Sequence, residues 1–241
     1  MGERDRIARA AGLMSGATMI SRVLGYARDM ILAFYFGATG LSDTFFVAFR
    51  IPNLLRELFA EGSMASAVVP VLAEYQVKEP EEGKRLVRVA FTVIVMLVGA
   101  VCLLGILVAP AVVYVMAPGF LDEPEKFSTT VTLTRVMFPF LLFISLAALL
   151  MGALNVKRVF FVPALAPATL NITIILSVFL LASRLGNPIL AVAVGVALGG
   201  VLQFAFQAPA FLRQGYSMRP CYGFRHPGLR KIAKLVLPAI V

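Results

Sequence analysis

Of 241 residues, 60% are hydrophobic and 15% are charged, with a mean hydropathy of +0.89. A soluble domain of this size needs more charge to cover its surface, so that class is excluded. The formal net charge of +9 invites a nucleic-acid reading, but the positions of the charges argue against it.

The N-terminus combines Arg4, Arg6 and Arg9 with an uncharged run from Ala10 to Ser21. No A-x-A-like cleavage site follows, so the segment reads as part of a helix and not as a signal peptide. The first predicted span, 7–36, is long enough to cross a bilayer but is interrupted by Arg22, Arg28 and Asp29 in the stretch SRVLGYARDM. The second, 41–75, carries Asp43, Arg50, Arg56, Glu57 and Glu61, with Pro52 and the triplet EGS at 61–63. Proline and glycine within a span free backbone groups that only protein or a water-filled cavity can satisfy. Both segments are therefore expected to be discontinuous, with breaks near Gly25, Pro52 and Gly62, and to face a polar interior.

Four runs without Lys, Arg, Asp or Glu follow: Val89–Leu121, Val136–Val156, Val159–Ser183 and Leu185–Leu212. Each exceeds the roughly 20 residues that cross about 30 Å of hydrocarbon. They place helices at about 86–117, 130–155, 159–183 and 188–212. The fold class is all-α, a polytopic transmembrane helical bundle; a β-barrel would show alternating segments of about ten residues. Pro139, Pro163 and Pro167 are expected to kink their helices. Gly12–Gly16 and Gly195–Gly199 have the GxxxG spacing of close helix packing, and Asn171 reads as interhelical glue. Cys102 in a span and Cys221 in a loop suggest no disulfide. The single His226 reads as a solvated loop residue, and no metal-ligand cluster is present. After a basic loop, KIAKLVLPAIV begins a seventh hydrophobic segment too short to cross, as expected of the N-terminal part of a longer chain.

With a cytoplasmic N-terminus, fifteen Lys and Arg fall on the inner side, at the N-terminus, 78–88, 157–158 and 213–234. Three fall outside: Lys126, Arg135 and Arg184. The outer loop PGFLDEPEKF is acidic. This is the positive-inside pattern, so basicity reports topology and no nucleic-acid partner is expected.

The charges within the first two spans carry the functional signal. From Arg9, Arg22 lies about 20 Å along a helix and Arg28 about 28 Å. A central arginine costs at least about 2.5–3.5 kcal/mol in a bilayer unless it meets a partner or water. Arg22 and Asp29 are seven apart and share a helix face, as do Asp43, Arg50 and Glu57; Arg56 lies on the face of Asn53. Four arginines and four acids give the pair of spans no net charge, so paired charges holding two helices together remain one reading. Helix breaks beside the charges favour the other, a substrate cavity. Arginine suits phosphate because its planar fork stays charged and bonds in pairs.

The stretches SRVLGYARD, SDTFFVAFRIPNLLRELFAEGSMASAVVPVLAEY and APGF resemble the N-terminal signature of the lipid II flippase family (MurJ, also called MviN), within the multidrug/oligosaccharidyl-lipid/polysaccharide exporter superfamily. The resemblance runs essentially the length of the chain. It implies a fourteen-helix, two-lobed transporter around a cationic cavity. The chain corresponds to the first six-helix lobe (1–227) and the truncated start of helix 7 (228–241), without the C-terminal lobe. It implies residence in the bacterial cytoplasmic (inner) membrane, among membrane lipids. The implied cargo is lipid II, an undecaprenyl pyrophosphate bearing a disaccharide pentapeptide, moved from the inner to the outer leaflet by alternating access.

The family's essential arginines match Arg22, Arg28 and Arg56, and its acidic position in the second helix matches Asp43. Arg50 stands where some relatives have Lys, and Glu57 where some have Arg. The implied substrate-binding set is Arg22, Arg28, Arg56, Asp43, Arg50 and Asn53, with Asp29, Glu57 and Glu61 in supporting ion pairs. Asp29 and Asp43 are expected to hold the arginines. No catalytic residue, metal or cofactor is implied, since no bond is made or broken. Two other readings stay open. One is an exporter of a drug or of another polyprenyl-linked sugar, of which a cationic-drug exporter would be expected to leave cavity acids unpaired; the other is a non-transporting scaffold acting through its basic loops.

Overall fold

The computed structural model describes residues 3–37, 40–57 and 63–236. Within them the chain forms eight α-helices and one 3-10 turn. The helices are α1 (Glu3–Phe36), α2 (Gly40–Arg56), α3 (Ser63–Lys78) and α4 (Pro80–Met116), then α5 (Pro124–Val156), α6 (Phe161–Leu181), α7 (Leu190–Arg213) and α8 (Pro227–Val236). The 3-10 turn, Pro118–Asp122, joins α4 to α5. By length and composition, α4, α5, α6 and α7 are apolar enough to cross a membrane.

Of the first two spans, both expected to be discontinuous, only the second is divided. α1 is one continuous helix of 34 residues, about 51 Å long, and passes through Gly25 without a break. A lone glycine weakens a helix by about 1 kcal/mol relative to alanine, which the flanking helix-forming residues here absorb. The predicted 41–75 segment instead divides in two, with α2 ending at Arg56 and α3 starting at Ser63. Pro52 is not the break, since it is buried inside α2. The predicted break at Gly62 lies outside the described residues.

Prolines also start helices cleanly. Pro80 and Pro124 open α4 and α5, where the missing N–H has no intrahelical partner to lose. α4 therefore begins six residues before the predicted boundary. Its first turn carries Glu81 and Glu82, paired with Lys84 (2.7 Å) and Arg85 (3.4 Å). Pro163 falls in the first turn of α6, where it breaks no intrahelical bond and needs no kink. Pro139 and Pro167 do lie inside α5 and α6.

Pro110, inside α4, cannot donate to the carbonyl of Ile106. Arg135 supplies the donor: its Nε sits 3.2 Å from the Ile106 oxygen. Arg135 is therefore an exposed residue of α5 and not part of the outer loop. In hydrocarbon an unsatisfied carbonyl has no water to turn to, so this bond relieves two problems, the orphaned acceptor and the unplaced charge.

α5 is the centre of the bundle. Its most apolar stretch is 72% buried against 28% for that of α4, which presents Leu103, Leu104, Leu107 and Val115 outward. One apolar cluster joins α3, α4, α5 and α8 around Leu86, Leu149 and Leu154. A second joins α2, α5, α6 and α7 around Phe45, Phe140 and Val192. α6 and α7 approach closely at the second GxxxG pair: a Cβ on Gly195 would lie 2.8 Å from the Ile174 Cα, and one on Gly199 would lie 2.5 Å from the Leu170 side chain. Around Gly12 and Gly16 such an atom would meet nothing within 4 Å.

His226 is the clearest departure from its expected setting. Its side chain is 5% exposed and not solvated. Nδ1 accepts the Gly228 N–H at 3.0 Å, which leaves the proton on Nε2, 3.2 Å from the Glu82 carboxylate. Together with the Lys231–Glu74 ion pair (2.9 Å), this ties the start of α8 to α3 and α4.

Candidate functional site

The geometry begins on the face of α1 that packs against α6. Ser21, Gly25 and Arg28 are spaced i, i+4, i+7 and so share that face. Asn171 of α6, 7% exposed, sits opposite them. Its Nδ2 donates to the Ser21 carbonyl at 3.1 Å, and its Oδ1 accepts from Arg28 Nη1 at 3.0 Å. The amide lies against position 25, where a Cβ would sit 3.5 Å from Asn171 Nδ2, an ordinary contact distance. Position 25 thus packs against α6 within a continuous helix and is not a break.

Arg28 also donates through Nε (2.9 Å) and Nη2 (2.8 Å) to one oxygen of Asp29. Asp29 therefore pairs with its chain neighbour and not with Arg22 one heptad earlier. The guanidinium is 25% exposed and the Asp29 carboxylate 63% exposed, so the pair stands at a polar edge with the arginine the more enclosed partner. Of the five guanidinium N–H groups, three are used, leaving one on each Nη.

Beside this pair lies a cavity of about 760 Å³ between α1, α2, α6 and α7. Arg28, Asp29 and Asp43 supply its charged lining; Phe36, Phe45, Phe46, Phe49, Ile174 and Val196 are among its apolar walls. Phe45 and Phe49, one helical turn apart on α2, have ring centroids 5.5 Å apart and stack nearly parallel. The lining is thus mostly apolar, with charges from both α1 and α2. It offers a cation for an anionic group and hydrocarbon for an apolar one.

Asp43 is placed differently from expectation. It lies in the first turn of α2, where the helix dipole favours an acid. Its partner is Lys126, at 3.5 Å, and not an arginine. Lys126 is 18% exposed, also approaches Glu123 (3.6 Å), and lies 4.6 Å from the centre of the Phe120 ring. Asp43 thus joins the cavity to the 118–126 turn. With two carboxylates and one guanidinium, the cavity lining itself carries no cationic excess.

The other predicted residues fall outside this lining. Asn53 bridges within α2, accepting from Arg56 Nε at 3.1 Å and donating to Glu57 at 3.0 Å. The i, i+3 and i+4 spacing of a helix makes that triad local. Arg22 and Arg50 are exposed on α1 and α2. Glu61 lies outside the described residues. The structure therefore brings Arg28, Asp29 and Asp43 to one cavity and gathers Asn53, Arg56 and Glu57 at the end of α2. Sequence reasoning missed Lys126 and the link from Asn171 to Arg28. The signal for Asn171 was an amide inside an otherwise apolar run; its partner is 143 residues away.

The family model described as "Lipid II flippase MurJ" matches residues 32–241, beginning just past Arg28 and Asp29. Among similar proteins, the lipid II flippase MurJ of Burkholderia cenocepacia is 40% identical over 236 residues, covering 96% of this chain and 46% of the relative. The probable lipid II flippase MurJ of Vibrio cholerae is 39% identical over 243 residues, with 98% and 46% coverage. A solved structure, "Lipid II flippase MurJ, inward closed conformation", superposes with a TM-score of 0.77 at 29% identity, covering 95% of this chain and 46% of that one. The chain spans about half the length of the relatives it matches.

Proposed function

Because the chain belongs to the lipid II flippase MurJ family, we propose that it supplies the first lobe of a transporter that carries lipid II between membrane leaflets. Its four apolar helices and its relatives indicate an integral inner-membrane protein. In this reading the N-terminus is cytoplasmic, residues 1–227 form the lobe, 228–241 begin the next helix, and a C-terminal lobe completes the path.

The observation that carries the proposal is the half-enclosed Arg28 guanidinium beside a largely apolar cavity of about 760 Å³. Asp29 and Asn171 occupy three of the five N–H groups of the fork, and displacement of Asp29 would leave four for pyrophosphate oxygens. Asp29, largely exposed, is the ligand that an incoming pyrophosphate displaces, so exchange of one anion for another avoids leaving the arginine bare. Arg22, Arg50 and Arg56 add the cationic excess that the cavity lining lacks. Asn53 orients Arg56 through its carbonyl oxygen, with Glu57 on the same amide. Asp43 and its Lys126 partner form a second polar contact at the cavity. Rocking of the two lobes would then expose the site to each side in turn. No covalent step is involved, so the activity is transport and not catalysis of a reaction.

Rescue of bacteria depleted of their own lipid II flippase tests this reading with the full-length protein. Wild type restores growth, and Arg28→Ala fails at normal membrane abundance. Loss of one charged hydrogen-bond donor set costs about 1.5–3 kcal/mol, or roughly ten- to hundredfold in binding. Full rescue by Arg28→Ala, Arg22→Ala and Arg56→Ala would remove the pyrophosphate-binding role. Disappearance of all three proteins from the membrane would instead assign these charges to helix pairing.

A further inference from the structure

We infer that Asn171 is a positioning residue for Arg28, fixing the direction of its guanidinium before substrate arrives. The inference rests on the reading that Arg28 meets the pyrophosphate. Nothing about an amide in an apolar helix requires this role, and three features of the structure support it.

The amide orientation is set by both ends of its contact. Oδ1 faces a guanidinium N–H and Nδ2 faces the Ser21 carbonyl. Flipping the amide would set donor against donor and acceptor against acceptor, so only one arrangement satisfies the pair. The reach is also specific. The amide meets the α1 backbone at the Ser21 carbonyl, at 3.1 Å, and lies in ordinary contact with position 25. Glutamine would be one methylene too long for that space, serine too short to span both partners, and aspartate would lack the donor for Ser21 while neutralising Arg28.

The third feature is division of labour on the fork. Asp29 occupies Nε and Nη2 from the exposed side, whereas Asn171, 7% exposed, holds Nη1 from inside the protein. When an anion displaces Asp29, the Asn171 bond is the one that remains. An arginine side chain carries about 2 kcal/mol of rotamer entropy. Holding one end of the fork through the exchange lowers the ordering cost of binding, because the guanidinium of this cavity-lining residue is already fixed at Nη1. A neutral acceptor does this without weakening the positive charge.

The test measures binding of undecaprenyl pyrophosphate and of undecaprenol to the full-length protein in detergent. Wild type, Asn171→Ala, Arg28→Ala and the double variant are compared. The expected result is about tenfold weaker pyrophosphate binding for Asn171→Ala with undecaprenol unchanged. The loss should be larger for Arg28→Ala, and the double variant no worse than Arg28→Ala. A residue that only packs helices would weaken both lipids together, or add its loss to that of Arg28→Ala; either result overturns the inference. So does wild-type pyrophosphate binding by Asn171→Ala. Should Asn171→Ala fail to accumulate, Asn171→Leu, which fills the volume, takes its place. Loss of both while Arg28→Ala accumulates normally assigns Asn171 to packing. If Arg28→Ala itself binds the pyrophosphate like wild type, the functional reading fails along with the inference. If Arg28→Ala is impaired and Asn171→Ala is not, only the inference fails.

Discussion

At the scale of single residues, particular polar groups inside this protein meet a need of the backbone or of a neighbouring charge. Arg135 illustrates the first case. Its bond to the Ile106 carbonyl replaces the one that Pro110 cannot make. Removing the donor should leave an acceptor unsatisfied at a cost of about 1–3 kcal/mol. Arg135→Leu is therefore expected to lower thermal stability in detergent, and Pro110→Ala, which restores a backbone donor, should suppress that loss. Equal effects of Arg135→Leu with and without Pro110 would show that the bond is not the cause. Lys126 illustrates the second case, enclosed among Asp43, Glu123 and the Phe120 ring, so that Asp43 enters the cavity with its charge already met.

At the scale of elements, close helix approach decides which glycines matter. The α6–α7 contact leaves no space at Gly195, where a Cβ would come within 2.8 Å of backbone. Gly99 in α4 meets nothing within 4 Å. Gly195→Ala is expected to destabilise by about 1–3 kcal/mol, because overpacking outweighs the gain in helix propensity. Gly99→Ala should stabilise by up to about 1 kcal/mol. Thermal unfolding of the two variants checks the contrast, and equal shifts would refute it. The same two substitutions are identical in sequence terms, which explains why the GxxxG pattern alone carried little weight. Gly12–Gly16 has the same spacing with no neighbour in the described chain. Pro52 and Gly25 carry the same lesson: one lies inside α2 and the other inside an unbroken α1. The division of the second segment was legible as an interruption; of its two expected places, Pro52 lies within α2, and Gly62 lies outside the described residues.

At the scale of the whole molecule, α5 is the element on which the rest assembles, with one apolar cluster on each side. α1 and α2 reach the cavity from different supports, α1 against α6 and α2 against α5. They are thus able to present Arg28 and Asp43 to a shared space. The proposed orientation has a direct check. A membrane-impermeant thiol reagent applied to intact cells should label Ser183→Cys, while the native Cys221 reacts only after permeabilisation. The reverse pattern would invert the topology.

The sequence by itself determined that this is a helical membrane protein, since uncharged runs longer than a bilayer is thick admit few alternatives. It also singled out the charged first two segments, because charge in an apolar span is costly wherever it lies. Its motifs carried the family. Only the tertiary structure decided the partners: Asp29 for Arg28, Lys126 for Asp43, Asn171 across from Gly25, and a buried His226 bound to Glu82. Helical periodicity reports which direction a side chain leaves its own axis. It says nothing of which other helix lies in that direction, and a salt bridge or hydrogen bond forms only within a few ångströms.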